Sequence, residues 1–129
     1  PIECPDKPFD MVGVDIVGPF PTTQYGNRYI IVFTDYLTKW AEAFAIKTTD
    51  TKTIAKIFVD EIVSRHSAPK TLLSDQGRNF MSSLLKEVCE YLNTKKINTT
   101  AYHPQTNGLT ERFNGTLCRI LSAYTSTNQ

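Results

Sequence analysis

Residues 28–34, "RYIIVFT", form an almost unbroken run of β-branched and aromatic side chains. A strand with one wet face alternates apolar and polar residues, whereas a run that is apolar throughout belongs to a strand covered on both faces. This segment therefore requires a sheet whose central strand lies between two layers. The neighbouring segments must supply them.

Before that run, "FDMVGVDIV" (9–17) alternates, with Val12, Val14 and Ile16 facing one way and Met11, Gly13, Asp15 and Val17 the other, until "GPFP" stops it. After it, "DYLTK" makes a turn and "WAEAFAI" a third strand, which predicts an antiparallel meander. The period then changes. From Asp50, a good N-cap, Ile54, Ile57, Phe58, Glu61, Ile62 and Arg65 recur at helical spacing as far as "HSAP". "KTLLSD" predicts a short strand, "SSLLKEVCEYL" a helix with Leu84, Leu85, Val88 and Leu92 on one face, and "KINTT" another strand. A last helix is expected from about Thr106 into the Tyr124 region, with Leu109, Phe113, Leu117, Ile120, Leu121 and Tyr124 as its apolar stripe. The order is βββαβαβα. With 129 residues and 40% hydrophobic content, residues 1–129 are expected to form one α/β domain around one core.

Fourteen Lys and Arg against thirteen Asp and Glu leave a net charge of +1, far from a chain that grips nucleic acid by bulk electrostatics. Any DNA contact must be local. Cys4, Cys89 and Cys118 are odd in number and lack the paired short spacing of a zinc cluster or disulfide framework, so a reducing compartment is expected. No apolar run reaches the ~18 residues of a membrane span, and no secretory leader pattern opens the chain. A soluble, non-secreted protein without membrane contact is expected. With no initiator Met and an end shortly after a helical pattern, the sequence is expected to be an excerpt of, or a product cut from, something longer.

Three acidic residues stand out. Asp15 and Asp75 each close a strand pattern, with a glycine within three residues. Glu111 lies near the start of the last helix and, at ~100° per residue, about 145° from the centre of its apolar stripe. Packing does not account for it. Groups beyond strand ends point into the crevice where α/β sheets bind ligands, and a helix entering that crevice adds a third group. Three carboxylates together repel unless a cation neutralises them. An all-oxygen set suits Mg²⁺, which keeps open positions for water and phosphate. Taken singly, each acid is better read as a turn cap or a solvated residue, as most acidic residues are, so the metal reading rests on the set.

The segments "VDIVGPF", "LLSDQGRNF" and "AYHPQTNGLTERFNGTL" resemble the catalytic core of retroviral and LTR-retrotransposon integrases, nearest the gypsy type. The 35 residues between Asp75 and Glu111 match that family's hallmark interval, and the 59 between Asp15 and Asp75 lie within its usual range. The resemblance implies a ribonuclease H-like fold, a five-stranded mixed sheet flanked by helices. It implies Asp15, Asp75 and Glu111 as catalytic metal ligands for two Mg²⁺ ions, or Mn²⁺ in their place, about 3.5 to 4 Å apart with Asp15 bridging. The implied activity is 3′-end processing of element DNA and its joining to target DNA, without a covalent enzyme intermediate.

The same resemblance puts Gln105 and Asn107 in a loop touching DNA, and Asn114 close to the DNA end. Arg112 and Arg119, seven residues apart on a third helix face, are candidates for phosphate contact. Gly115 departs from relatives that carry a basic residue one turn beyond the glutamate. The family further implies a homodimer or higher oligomer, action in the nucleus, and zinc-binding N-terminal and DNA-binding C-terminal domains outside this chain. Two other readings stay open: a ribonuclease H-like nuclease, with Asp60 or Glu61 as an additional acid, and an inactive copy that only binds DNA or protein. Asp35, at a hairpin tip, is expected to cap a turn.

Overall fold

The computed structural model describes residues 5, 7–21 and 24–99. Five strands make one mixed sheet in the order β3-β2-β1-β4-β5. β1 (Met11–Val17), β2 (Tyr29–Asp35) and β3 (Ala41–Ile46) form the expected antiparallel meander, while β4 (Thr71–Ser74) and β5 (Lys95–Asn98) join it in parallel. The helical segments follow from sequence signals. Asp50 accepts from the Thr53 N–H to cap α1 (Thr51–Ile57), and Ser82 accepts from the Leu85 N–H to cap α3 (Ser83–Tyr91).

The continuous apolar run behaves as its composition requires. Ile30, Ile31, Val32 and Phe33 of β2 are all buried, although successive side chains leave opposite faces of a strand. On one face, Val12, Val14, Ile31, Phe33 and Leu72 meet Ile54, Phe58 and Ile62 of the first helical stretch and Leu85 and Cys89 of α3. Each such side chain contributes about 1.5 to 3 kcal/mol when taken from water. On the other face, Met11, Val32 and Leu73 are buried as well. The expected last helix and its stripe from Leu109 to Tyr124 lie outside the described residues.

Three details differ from the periodicity. The first helical stretch is not α throughout: a π-helical segment (Phe58–Val63) follows α1, and a final α turn, α2 (Ser64–His66), completes it. Wider turns keep Phe58 and Ile62, four residues apart, both fully buried. In α3 the buried pair is Leu85 and Cys89, and Leu84 is 41% exposed. Sequence spacing admitted two adjacent stripes, and the small Cys89 thiol, not Leu84, meets the sheet. Trp40 stays outside β3, 60% exposed, with its indole N–H donating to Glu42 at 3.2 Å.

Candidate metal-binding active site

The site is built on the parallel pair β1 and β4. Their register matches Met11 with Thr71, Val12 with Leu72 and Gly13 with Leu73. Carried two residues past its last pair, and past the end of β4 at Ser74, the same register would bring Asp75 level with Asp15. Alternation then assigns both to the face that carries Gly13 and Leu73, opposite the face packed on the helices. On that extension, acids with 59 residues between them in sequence would stand on adjacent chain segments.

The two carboxylates are mounted differently. Asp15 is inside β1, two residues before its end at Val17, not at the strand tip that the sequence pattern suggested. Pairing with Val32 of β2 anchors its backbone in the sheet, and its Oδ1 accepts from the Ile16 N–H at 2.8 Å. Asp75 follows the last residue of β4 and is solvent-exposed. Its Oδ1 accepts from the Gly77 N–H at 2.7 Å, an approach that glycine favours, since a Cβ at position 77 would stand 2.9 Å from that oxygen.

The loop after Asp75 is tied down in two places. Phe80, closing a 3₁₀ turn (Arg78–Phe80), is buried in the core. Asn79 donates its amide to Thr49 O at 3.0 Å, and Thr51 Oγ1 donates back to Asn79 O at 3.3 Å, which links the loop to the start of α1. Behind Asp75, half-buried Lys96 on β5 donates to Ser74 Oγ and, at 2.7 Å, to Asn98 Oδ1. Burial holds the Lys96 ammonium below its ordinary range, while nearby Cys89 and Asp75 pull it back up. Neither Ser74 nor Lys96 was singled out from the sequence; the one available signal was a hydroxyl directly before Asp75 in "LLSD".

Glu111, Gln105, Asn107, Arg112, Asn114 and Arg119 lie outside the described residues. Among the described residues no three acidic, His or Cys side chains form a metal-binding group. Of the two acids considered for a nuclease, Asp60 is exposed and pairs with Lys56 at 3.3 Å on the outer side of the helix that buries Phe58 and Ile62. Asp35 is a turn cap, as expected, but a fully buried one. Cys89 is buried, and burial pushes its thiol up, with Lys96 opposing, so it is an inert core residue. Among the described residues no helix is long and apolar enough to cross a membrane.

Known proteins resemble the chain in sequence and in fold. The chain is 35% identical over 127 residues to the retrovirus-related Pol polyprotein from transposon 412 of Drosophila melanogaster, covering 98% of this chain and 10% of the polyprotein. The fold is similar to the simian T-cell lymphotropic virus intasome solved with a PP2A regulatory subunit, with a TM-score of 0.77 at 21% identity over 94% of this chain and 42% of that one. It is also similar to the HTLV-2 integrase catalytic core solved with magnesium in a trimeric form, with a TM-score of 0.72 at 20% identity over 91% of this chain and 72% of that one. At those identities the structures establish the ribonuclease H-like fold. The integrase core domain model matches residues 5–104, and the chain belongs to that family.

Proposed function

We propose that the chain is the catalytic core of a divalent-metal-dependent polynucleotidyl transferase that trims the 3′ ends of an element's DNA and joins them to target DNA. The reading is carried by the β1/β4 register, which, extended two residues beyond Gly13 and Leu73, would bring Asp15 and Asp75 to one face, in a chain of the integrase core family. Asp15 and Asp75 fit a hard cation, because both offer carboxylate oxygens that are not fully buried and, among the described residues, form no group of three with a His or Cys. Asp15, Asp75 and Glu111 would hold the ions, Mg²⁺ or Mn²⁺. Bound there, such ions supply an acidified water and counter-charge for the phosphodiester under attack. Magnesium in the HTLV-2 core supports this reading.

The chain's own residues do the positioning. Asp15 provides a fixed point within the sheet, and Asp75 approaches it from a loop anchored at Gly77, Asn79 and Phe80. Gln105, Asn107, Arg112, Asn114 and Arg119 would contact DNA. With a net charge of only +1, grip on the duplex depends on such local contacts and on copies acting together, which fits the intasome and trimer found among the structural neighbours. A homo-oligomer acting on chromosomal DNA in the nucleus follows from the same reading.

The test is incubation of the chain with duplex oligonucleotides, branched DNA and an RNA–DNA hybrid in Mn²⁺ or Mg²⁺. Cutting and joining of DNA ends that stops on chelation supports the proposal. Hydrolysis confined to the hybrid would establish the nuclease reading, and DNA binding without cutting under any metal would leave a binding module.

A further inference from the structure

Ser74 is 3% exposed at the end of β4, a position where strand packing favours an apolar β-branched side chain and a buried hydroxyl must find partners. Its partners all bear on Asp75. Ser74 Oγ donates to the Asp75 carbonyl at 2.8 Å and accepts from Lys96 Nζ, which is itself held by Asn98 Oδ1 at 2.7 Å. The Ser74 carbonyl accepts twice from Thr99, from its N–H at 2.6 Å and its hydroxyl at 3.0 Å. The two carbonyls so fixed belong to the peptide planes on either side of the Asp75 Cα. Orientation of those planes sets φ and ψ at Asp75, and with them the direction of its Cα–Cβ bond.

We propose that Ser74 is a positioning residue for the metal-ligating carboxylate of Asp75, with Lys96 and Thr99 of the β5 side as its clamp. The inference rests on the metal-site reading of Asp15 and Asp75. It explains why an edge strand with only four residues matters to the site: β5 supplies the donors that stop the chain from swinging as it leaves β4. A ligand free to swing loses its share of a shared ion, and partners of this indirect kind typically change metal affinity 10- to 100-fold.

The experiment titrates the chain with Mn²⁺ and reads free ion by electron paramagnetic resonance, with a thermal melt for every variant. Ser74→Ala is expected to weaken Mn²⁺ binding about tenfold, with the metal-free melting temperature within a few degrees of the parent. Ser74→Thr, which keeps the hydroxyl, restores affinity to within about twofold. Thr99→Val, which keeps the side-chain shape and removes one bond to the Ser74 carbonyl, weakens binding several-fold and decides the matter if Ser74→Ala does not fold. Parental affinity in both Ser74→Ala and Thr99→Val overturns the proposal, as does an equal loss in Ser74→Ala and Ser74→Thr. Failure of the underlying reading looks different: the unaltered chain takes up no Mn²⁺, or Asp75→Asn binds as tightly as the parent.

Discussion

Asp35 and Asp75 are both aspartates at the end of a β-strand, and the fold treats them in opposite ways. Asp35, closing β2, is fully buried and accepts four hydrogen bonds: from the Phe9 N–H at 3.0 Å, the Leu37 N–H at 3.4 Å, the Thr38 N–H at 3.3 Å and the Thr38 hydroxyl at 2.6 Å. Its oxygens are committed to holding the hairpin and the segment entering β1. Asp75, just past β4, is exposed and engages one donor among the described residues, the Gly77 N–H. A carboxylate saturated by backbone donors is architecture, whereas one held by a single N–H beside another acid retains lone pairs for a cation.

The same substitution separates the two. Asp75→Asn is expected to reduce metal-dependent DNA cutting and joining on the order of 10³-fold or more, as loss of one member of a catalytic set does. Its metal-free melting temperature should hold or rise slightly, because one of two neighbouring like charges is gone. Full activity in Asp75→Asn would remove the site assignment. Asp35→Asn should do the reverse. It puts an amide NH₂ among four donors and is expected to destabilise the chain by about 2 to 4 kcal/mol, read as a lowered urea midpoint. Residual folded protein should keep its metal affinity. A stable Asp35→Asn that binds no Mn²⁺ would break the contrast.

How far the sequence foretold this contrast depends on the range of the interaction. Local chemistry was legible: alternation located β1, the unbroken apolar run located β2, and Asp50 announced the helix that it caps. Asp35 was also legible as a cap, since Asp-x-x-Thr is a turn signal within four residues. Its burial was not, because that depends on Phe9, 26 residues earlier, donating to it. Asp15 and Asp75 could be nominated as strand-end acids, but whether they converge depends on β1/β4 pairing, which no local pattern encodes. Resemblance to a family supplied it. The Leu84 reading failed for a related reason. Periodicity fixes a stripe only to within one residue, and which edge faces the sheet is decided by the sheet.

The structural end of the comparison extends beyond Asp35 to Glu42. Its carboxylate, 12% exposed, accepts from Arg65 across to α2, from the Trp40 indole at 3.2 Å and from His66 at 2.7 Å. His66 in turn stacks on Phe9 at 3.6 Å between ring centroids, so the network returns to the segment that Asp35 holds. Glu42→Ala is expected to cost about 1 to 2 kcal/mol, less than Asp35→Asn because solvent replaces part of what is lost. Metal affinity should again be untouched. A matching loss of Mn²⁺ binding would show that the two ends of the sheet are coupled rather than independent.

The smallest effect concerns pH. Burial, then the adjacent Arg65 cation, holds the His66 imidazole below its ordinary 6.5, with Asp35 pulling the other way. A depressed folded pKa means that the neutral ring is the one the fold accommodates, donating Nε2–H to Glu42. The associated stability is present above the ordinary value and is lost as pH falls through the depressed one. Between about pH 7.5 and about pH 5.5 the parent chain should therefore lose a few degrees of melting temperature more than His66→Gln, which stays neutral throughout. The opposite sign, a parent that gains on acidification relative to His66→Gln, would mean that Glu42 holds His66 as an ion pair. Charge pairing would then outweigh desolvation at this end of the sheet, and the line between a committed carboxylate and an available one would have to be drawn by the charge of the partner rather than by burial.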